Sequence, residues 1–284
     1  MTSAGDAAGS VGSQELQVRF ERFQARFPIR SVQLGPAAWN YLDTGGQGPV
    51  LLMLPGGTYR PDNYFQLIED LARDHRILAP AYPAVHPLPL VVAGLTALLD
   101  YAGVGSATVC GWSYGGYVAQ VFAKEAPSRV RNLVLAETGT RHIFGLTTMR
   151  VFAAVFARLP LRAKQSFTRR LWRRWSSAVP ESREFWDRRL EEELQQISNL
   201  QHTAGVANMI DFMAHYTPSP GWLAPWKGRV LILQSAGDEA FSADRQAELR
   251  AAYPDAVVRT ITGGHTALFS NPGWFTWHIR DFDG

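Results

Sequence analysis

The feature that most constrains the fold is an alternation. Between residues 50 and 136, short apolar runs alternate with stretches of helical periodicity, joined by short connections. The run at 50–54 (VLLML) is apolar throughout, the pattern of a strand buried on both faces. Residues 63–73 then carry apolar side chains at helical spacing. A strand at 76–79, a helix at 90–101, a strand at 107–110, a helix at 114–125 and a strand at 131–136 follow. Two more strand-like segments, 30–34 and 38–42, precede this series and end at the turn TGGQG (44–48). Such a series predicts an α/β fold with a mostly parallel central sheet and helices on both faces.

The rhythm stops near Gly139. Residues 141–220 read as helices without a strand pattern, broken at Pro160, Pro180, Pro218 and Pro220. It resumes with a strand at 229–234, a helix at 243–252, a strand at 256–261 and a last helix from 272 to about 279. The layout expected is a disordered tail at 1–15, one core domain formed by 16–140 and 221–284, and a helical insertion at 141–220 after the sixth strand. With 46% hydrophobic and 19% charged residues, the chain can bury a sizeable core. A net charge of +3 names no nucleic acid or other polyanionic partner. The single cysteine, Cys110, excludes an internal disulfide and fits a reducing, cytoplasmic setting. The first residues lack the apolar centre of a signal peptide. No apolar run approaches the ~20 residues that span a bilayer.

The chemistry sits at CGWSYGGYVA, residues 110–119. A buried strand ends at Gly111, and a helix opens just after Ser113. In that context G-x-S-x-G describes a nucleophile elbow, a sharp strand-to-helix turn that exposes the serine. Neighbours two residues before and after must be small, hence Gly111 and Gly115. The helix N-terminus offers free N–H groups to a developing oxyanion. An ordinary glycine-rich turn is the bland alternative.

A serine nucleophile needs a base and a group to orient that base. Of seven histidines, His265 alone lies in a loop just after a late strand, in TITGGHTALF. Its acid is expected on the loop after the preceding strand, where LILQSAGDEAF supplies Asp238. Glu137, at the end of the sixth strand, is a second candidate and Glu239 a third. The oxyanion donors expected are the backbone N–H of Tyr114 and that of Gly57 in LPGGTYR, with Thr58 as a neighbouring alternative.

Taken together, LPGG, CGWSYGG, AGD and GGH resemble the α/β-hydrolase superfamily over residues 30–279. The order Ser113, Asp238, His265 is the order of that superfamily. Trp112 before the serine is similar to the elbow of carrier-protein methyl esterases of biotin synthesis. Pro55–Gly56 stands where many relatives have His-Gly. Residues 82–103 and 115–144 also resemble maspardin, a member of the same superfamily. The resemblance implies a serine hydrolase needing no cofactor and no metal, acting on a small-molecule acyl substrate. It also implies that the insertion caps the active site and sets substrate choice.

Within that insertion, residues 150–174 hold Arg150, Arg158, Arg162, Lys164, Arg169, Arg170, Arg173 and Arg174 and no acid, interleaved with Phe152, Phe156, Phe167 and Trp172 and followed by Trp175. One reading is a basic rim for a substrate carried by an acidic carrier protein or coenzyme A. The blander reading is a solvated amphipathic helix facing the acids at 191–193. Ester, thioester and C–C cleavage remain open, the last including lyase and cyclase chemistry. So does a non-catalytic binding protein on the same fold.

Overall fold

Why the chain builds a sheet is visible in its strands. β1 (Arg30–Leu34) and β2 (Ala37–Asp43) form a hairpin, and the following strands are nearly continuous apolar runs. These are β3 (Val50–Leu54), β4 (Arg76–Ala81), β5 (Ala107–Trp112), β6 (Val130–Ala136) and β7 (Val230–Ala236). β8 (Val257–Thr262) is the more exposed edge. The computed structural model describes residues 12–141, 145–175 and 182–284. Among them the sheet order is β1-β2-β4-β3-β5-β6-β7-β8. Only the contacts of β2 are antiparallel; β4, β3, β5, β6, β7 and β8 pair parallel.

The order reverses at β3. From there the chain moves to one side for β4 and to the other for β5. A crevice therefore opens between the C-terminal ends of β3 and β5, where sheets of this kind bind their ligands. The loop after β3 carries Gly57, and the turn after β5 carries Ser113.

Helices cover both faces. α2 (Phe65–Leu71) and α11 (Pro272–Asp283) pack on one face with α1 (Ser13–Arg26) beyond them. α3 (Leu88–Tyr101) and α4 (Tyr114–Glu125) pack on the other. α1 corrects the tail expected over 1–15. From Ser13 the chain is helical, and Leu16, Phe20 and Phe23 at helical spacing are buried. Residues 1–11 lie outside the described residues, as do His142 and Pro180.

Between β6 and β7 stand α5 (Leu146–Arg158), α6 (Leu161–Trp175), α7 (Arg183–Gln196) and α8 (Asn199–His215). α8 opens with a capping box: Ser198 Oγ accepts from Gln201 N–H, and the Gln201 side chain accepts from Ser198 N–H. It is fastened to the core by the residues after β4. Gln201 Nε2 donates to Tyr82 O (3.0 Å), Asn208 Nδ2 to Val85 O (2.9 Å), and Leu88 N–H to Asp211 Oδ2 (2.8 Å). The remaining helices are α9 (Ala243–Ala252) and the short α10 (Ala267–Ser270).

Candidate active site

Ser113 sits between β5 and α4 with φ +49° and ψ −115°, a left-handed region that a serine enters only when its surroundings hold it there. Three hydrogen bonds do so. Ser113 N–H donates to Ala136 O (3.0 Å), and Ser113 O accepts from Gly116 N–H (2.9 Å) and Thr138 Oγ1 (2.8 Å). The flanking glycines have no room for a side chain. A Cβ at Gly111 would stand 2.3 Å from Gly115 O, and one at Gly115 would stand 2.2 Å from Leu54 O. The spacing G-x-S-x-G is therefore steric.

The structure brings Ser113, His265 and Asp238 into one line. Ser113 Oγ lies 3.0 Å from His265 Nε2, and His265 Nδ1 lies 3.1 Å from Asp238 Oδ2. With Nδ1–H donating to the carboxylate, Nε2 is left as the acceptor for the serine hydroxyl. Asp238 is itself fixed, because its Oδ1 accepts from Ala240 N–H and Phe241 N–H, both at 2.8 Å. His265 and Asp238 are each 5% exposed, whereas Ser113 is half-buried and Gly57 exposed. The imidazole is thus screened on its acid side and open toward the serine.

The two other acids do different work. Glu239 Oε2 accepts His265 N–H (3.0 Å) and so holds the backbone of the histidine loop. Glu137 is 2% exposed, has φ +43°, and accepts from the Ser235 hydroxyl rather than from His265. Burial pushes its carboxyl well above the usual carboxylate range. The Ser235 hydroxyl opposes that shift, and the charges of Asp238 and Glu239 add to it.

The two amides expected as oxyanion donors belong to the loop after β3 and to the residue that follows Ser113. A Cβ at Gly56 would stand 3.6 Å from Ser113 Cβ, so the loop after β3 runs beside the nucleophile. Gly56 N–H is engaged by Tyr64 Oη (2.8 Å). Gly57 N–H and Tyr114 N–H have no acceptor among the described residues. Tyr59 is buried against the core, and Arg60 pairs with Asp62 at 2.7 Å.

Several neighbours were not readable from sequence. Trp175 of α6 and Phe241 pack on the His265 ring, with centroids 5.3 and 5.5 Å away, and the Thr266 hydroxyl donates to Trp175 O. No local pattern announces a tryptophan 90 residues away as a wall of the histidine. Of the other described histidines, His75 is bonded to Asp74, His86 to Asn208 and His215 to Asp211, whereas His202 of α8 is buried with its Nε2 unpartnered. Of the basic residues at 150–174, Lys164 is buried and donates to Thr203 Oγ1, so it is no part of a rim. Arg169 pairs with Glu191, and the other six are exposed. Cys110 is buried, and burial pushes its thiol up. Among the described residues no group of three His, Cys, Asp or Glu side chains is arranged to hold a metal ion, and no helix is long and apolar enough to cross a membrane.

A pimeloyl-[acyl-carrier protein] methyl ester esterase of Nitrosomonas europaea is 34% identical over 99 residues, which cover 34% of this chain and 39% of the esterase. The chain thus spans about two fifths of the curated esterase it matches. A magnesium-chelatase 30 kDa subunit of Rhodobacter capsulatus is 26% identical over 85% of this chain and 90% of its own. The enol-lactonase of Burkholderia xenovorans superposes with a TM-score of 0.75 at 18% identity, over 89% of this chain and 99% of its own, a likeness of fold. A family model described as alpha/beta hydrolase fold matches residues 90–272, well over half of the chain, and the protein belongs to that family.

Proposed function

We propose that the protein is a serine hydrolase acting on a small apolar ester, thioester or related acyl compound through an acyl-enzyme. The observation that carries this reading is the unbroken line Ser113–His265–Asp238, at 3.0 and 3.1 Å. Ser113 Oγ attacks the acyl carbon while His265 Nε2 takes its proton. The carbonyl oxygen becomes an oxyanion facing the free N–H groups of Gly57 and Tyr114. His265 then gives its proton to the leaving alcohol or thiol. Water, deprotonated by the same nitrogen, attacks the acyl-enzyme and releases the acid and the serine. Asp238 keeps His265 in the right tautomer and stabilises its cation without taking the proton.

In this reading α5–α8 cap the site and α6 reaches it, since Trp175 packs on His265. A carrier-linked acyl substrate is favoured by one further observation. Between α6 and α7 lies an open groove of about 650 Å³ lined by Arg169, Arg173, Arg183 and Arg188 beside Trp172, although Glu184, Asp187 and Glu191 share its wall. None of the triad residues lines it. Binding of an acidic carrier there would weaken steeply with salt.

The test is covalent labelling with a fluorophosphonate, read by intact mass on the wild type, Ser113→Ala and His265→Ala. One adduct on the wild type and none on either variant is expected, with turnover of activated esters falling by roughly 10⁴-fold or more in both. A folded wild type that takes no adduct from small or large probes would overturn the reading and favour a binding protein on the same fold.

A further inference from the structure

α8 carries a single glycine, Gly205, at its middle. A glycine there weakens a helix relative to alanine, so its presence calls for a reason. The reason is Tyr59. A Cβ at position 205 would stand 1.7 Å from Tyr59 Oη, 2.6 Å from Cζ and 3.2 Å from Cε1. The backbone of α8 therefore closes directly over the tyrosine that ends the candidate oxyanion loop.

Tyr59 governs that loop. Its N–H donates to Gly56 O (2.9 Å), closing the turn in which Gly57 is the second residue. Its φ is +63°, a strained value for a tyrosine that must be imposed by surrounding structure. Tyr114 and Tyr82 meet its ring edge-on, at 5.5 and 6.2 Å between centroids, and each other at 5.4 Å. α8 closes over the hydroxyl end of the Tyr59 ring at Gly205. The same helix also holds the second donor, because Asn208 Nδ2 donates to Tyr114 Oη at 3.1 Å. Both residues whose backbones carry or close the two free amides thus have their side chains seated by one helix of the insertion. That helix is pinned to the core by Gln201, Asn208 and Asp211.

We infer that α8 sets the spacing of the two oxyanion amides, with Gly205 and Asn208 as positioning residues that act through Tyr59 and Tyr114. The inference rests on the serine-hydrolase reading for its kinetic consequence. Its structural part, that α8 controls the Gly57 turn, can be measured without turnover.

In Gly205→Ala the new methyl displaces Tyr59 and with it the Gly57 turn. The expected result is a loss in kcat of about 30-fold with KM held within about twofold, because a small misplacement of a group made for the transition state costs that much. Affinity for a trifluoromethyl ketone, which binds as an oxyanion, falls in the same proportion. Tyr59→Phe removes the oxygen nearest the methyl, so Gly205→Ala/Tyr59→Phe recovers part of the loss relative to Gly205→Ala. Asn208→Ala, read in the same way, lowers kcat about tenfold. Gly273→Ala, a helical glycine whose Cβ would meet open space, leaves kcat unchanged. Hydrogen exchange of a peptide spanning residues 56–60 quickens in Gly205→Ala and slows again in the double variant.

Folded Gly205→Ala and Asn208→Ala proteins with wild-type kcat would overturn the inference. So would a loss in Gly205→Ala that Tyr59→Phe does not relieve, or unchanged exchange at 56–60. If Ser113→Ala proved as active as the wild type, the hydrolase reading would fall. The exchange measurement would still decide whether α8 controls the loop, quickened exchange supporting that part of the inference and unchanged exchange sinking it.

Discussion

Three carboxyl groups crowd the histidine, and only their hydrogen bonds tell them apart. Asp238 faces the imidazole, Glu239 faces its backbone, and Glu137 is held by Ser235. The prediction at this scale is a split between isosteric variants. Asp238→Asn lowers kcat by about 10⁴-fold, because the amide favours the wrong tautomer of His265. Glu137→Gln keeps kcat within a few-fold, because a carboxyl whose buried site favours the protonated form resembles an amide already. Steady-state kinetics on one activated ester decide both, and a greater loss in Glu137→Gln than in Asp238→Asn would exchange their roles. The positions of Ser113, Asp238 and His265 were legible in sequence because each follows a strand at the same sheet edge. The walls were not. Trp175 reaches the site from α6 with nothing in its neighbours to mark it. Phe241 and Thr138 stand within three residues of Asp238 and Glu137, but their turn toward His265 and Ser113 is decided by packing that the sequence does not display.

Among the elements, α1 shows what burial adds to a helix without a strong start signal. Gly12 at its N-cap supplies no side-chain hydrogen bond, and most of its residues are polar. Its stability comes from Leu16, Phe20 and Phe23, which are buried against Phe65 of α2 and Phe185 of α7. The Phe20 ring stands 5.3 Å from Phe65 and 5.9 Å from Phe185. Phe20→Ala should therefore cost about 3–5 kcal/mol, read as a lower urea midpoint with an unchanged slope. A cost below about 1 kcal/mol would mean that α1 only lies on the surface. The strands were legible because they are continuous apolar runs; their ends ran further than the runs. β4 continues through Pro80 to Ala81 and β5 through Gly111 to Trp112, since pairing with a neighbour, which sequence does not display, decides where a strand stops. α1 was missed because its three buried apolar residues follow a small polar stretch that resembles a tail.

At the scale of the whole molecule, one buried ionic cluster joins the parts that local pattern leaves separate. Arg189 of α7, 4% exposed, lies 3.3 Å from Asp62 and 3.5 Å from Glu193, with its guanidinium 4.1 Å from the Phe20 ring of α1. Asp62 also takes Arg60, four residues past Gly56 on the candidate oxyanion loop. Burial raises the Glu193 carboxyl from the usual 4.5 to about 7. Arg189, Asn63 and Arg60 pull it down, and Asp62 pushes it up. Between about pH 4.5 and 7 the folded protein therefore holds a proton that the unfolded chain has lost. Stability rises with pH only where the unfolded state binds more protons, so here it falls as pH rises through that window and levels off above it. In Glu193→Gln the proton is gone from both states and this slope disappears. Urea midpoints of the two proteins, taken at half-unit steps from pH 4.5 to 8, should move apart in the variant's favour up to about pH 7 and run parallel beyond. Parallel curves across the whole range would mean that Glu193 ionises in the folded state as it does in water, with Arg189 offsetting the cost of its burial.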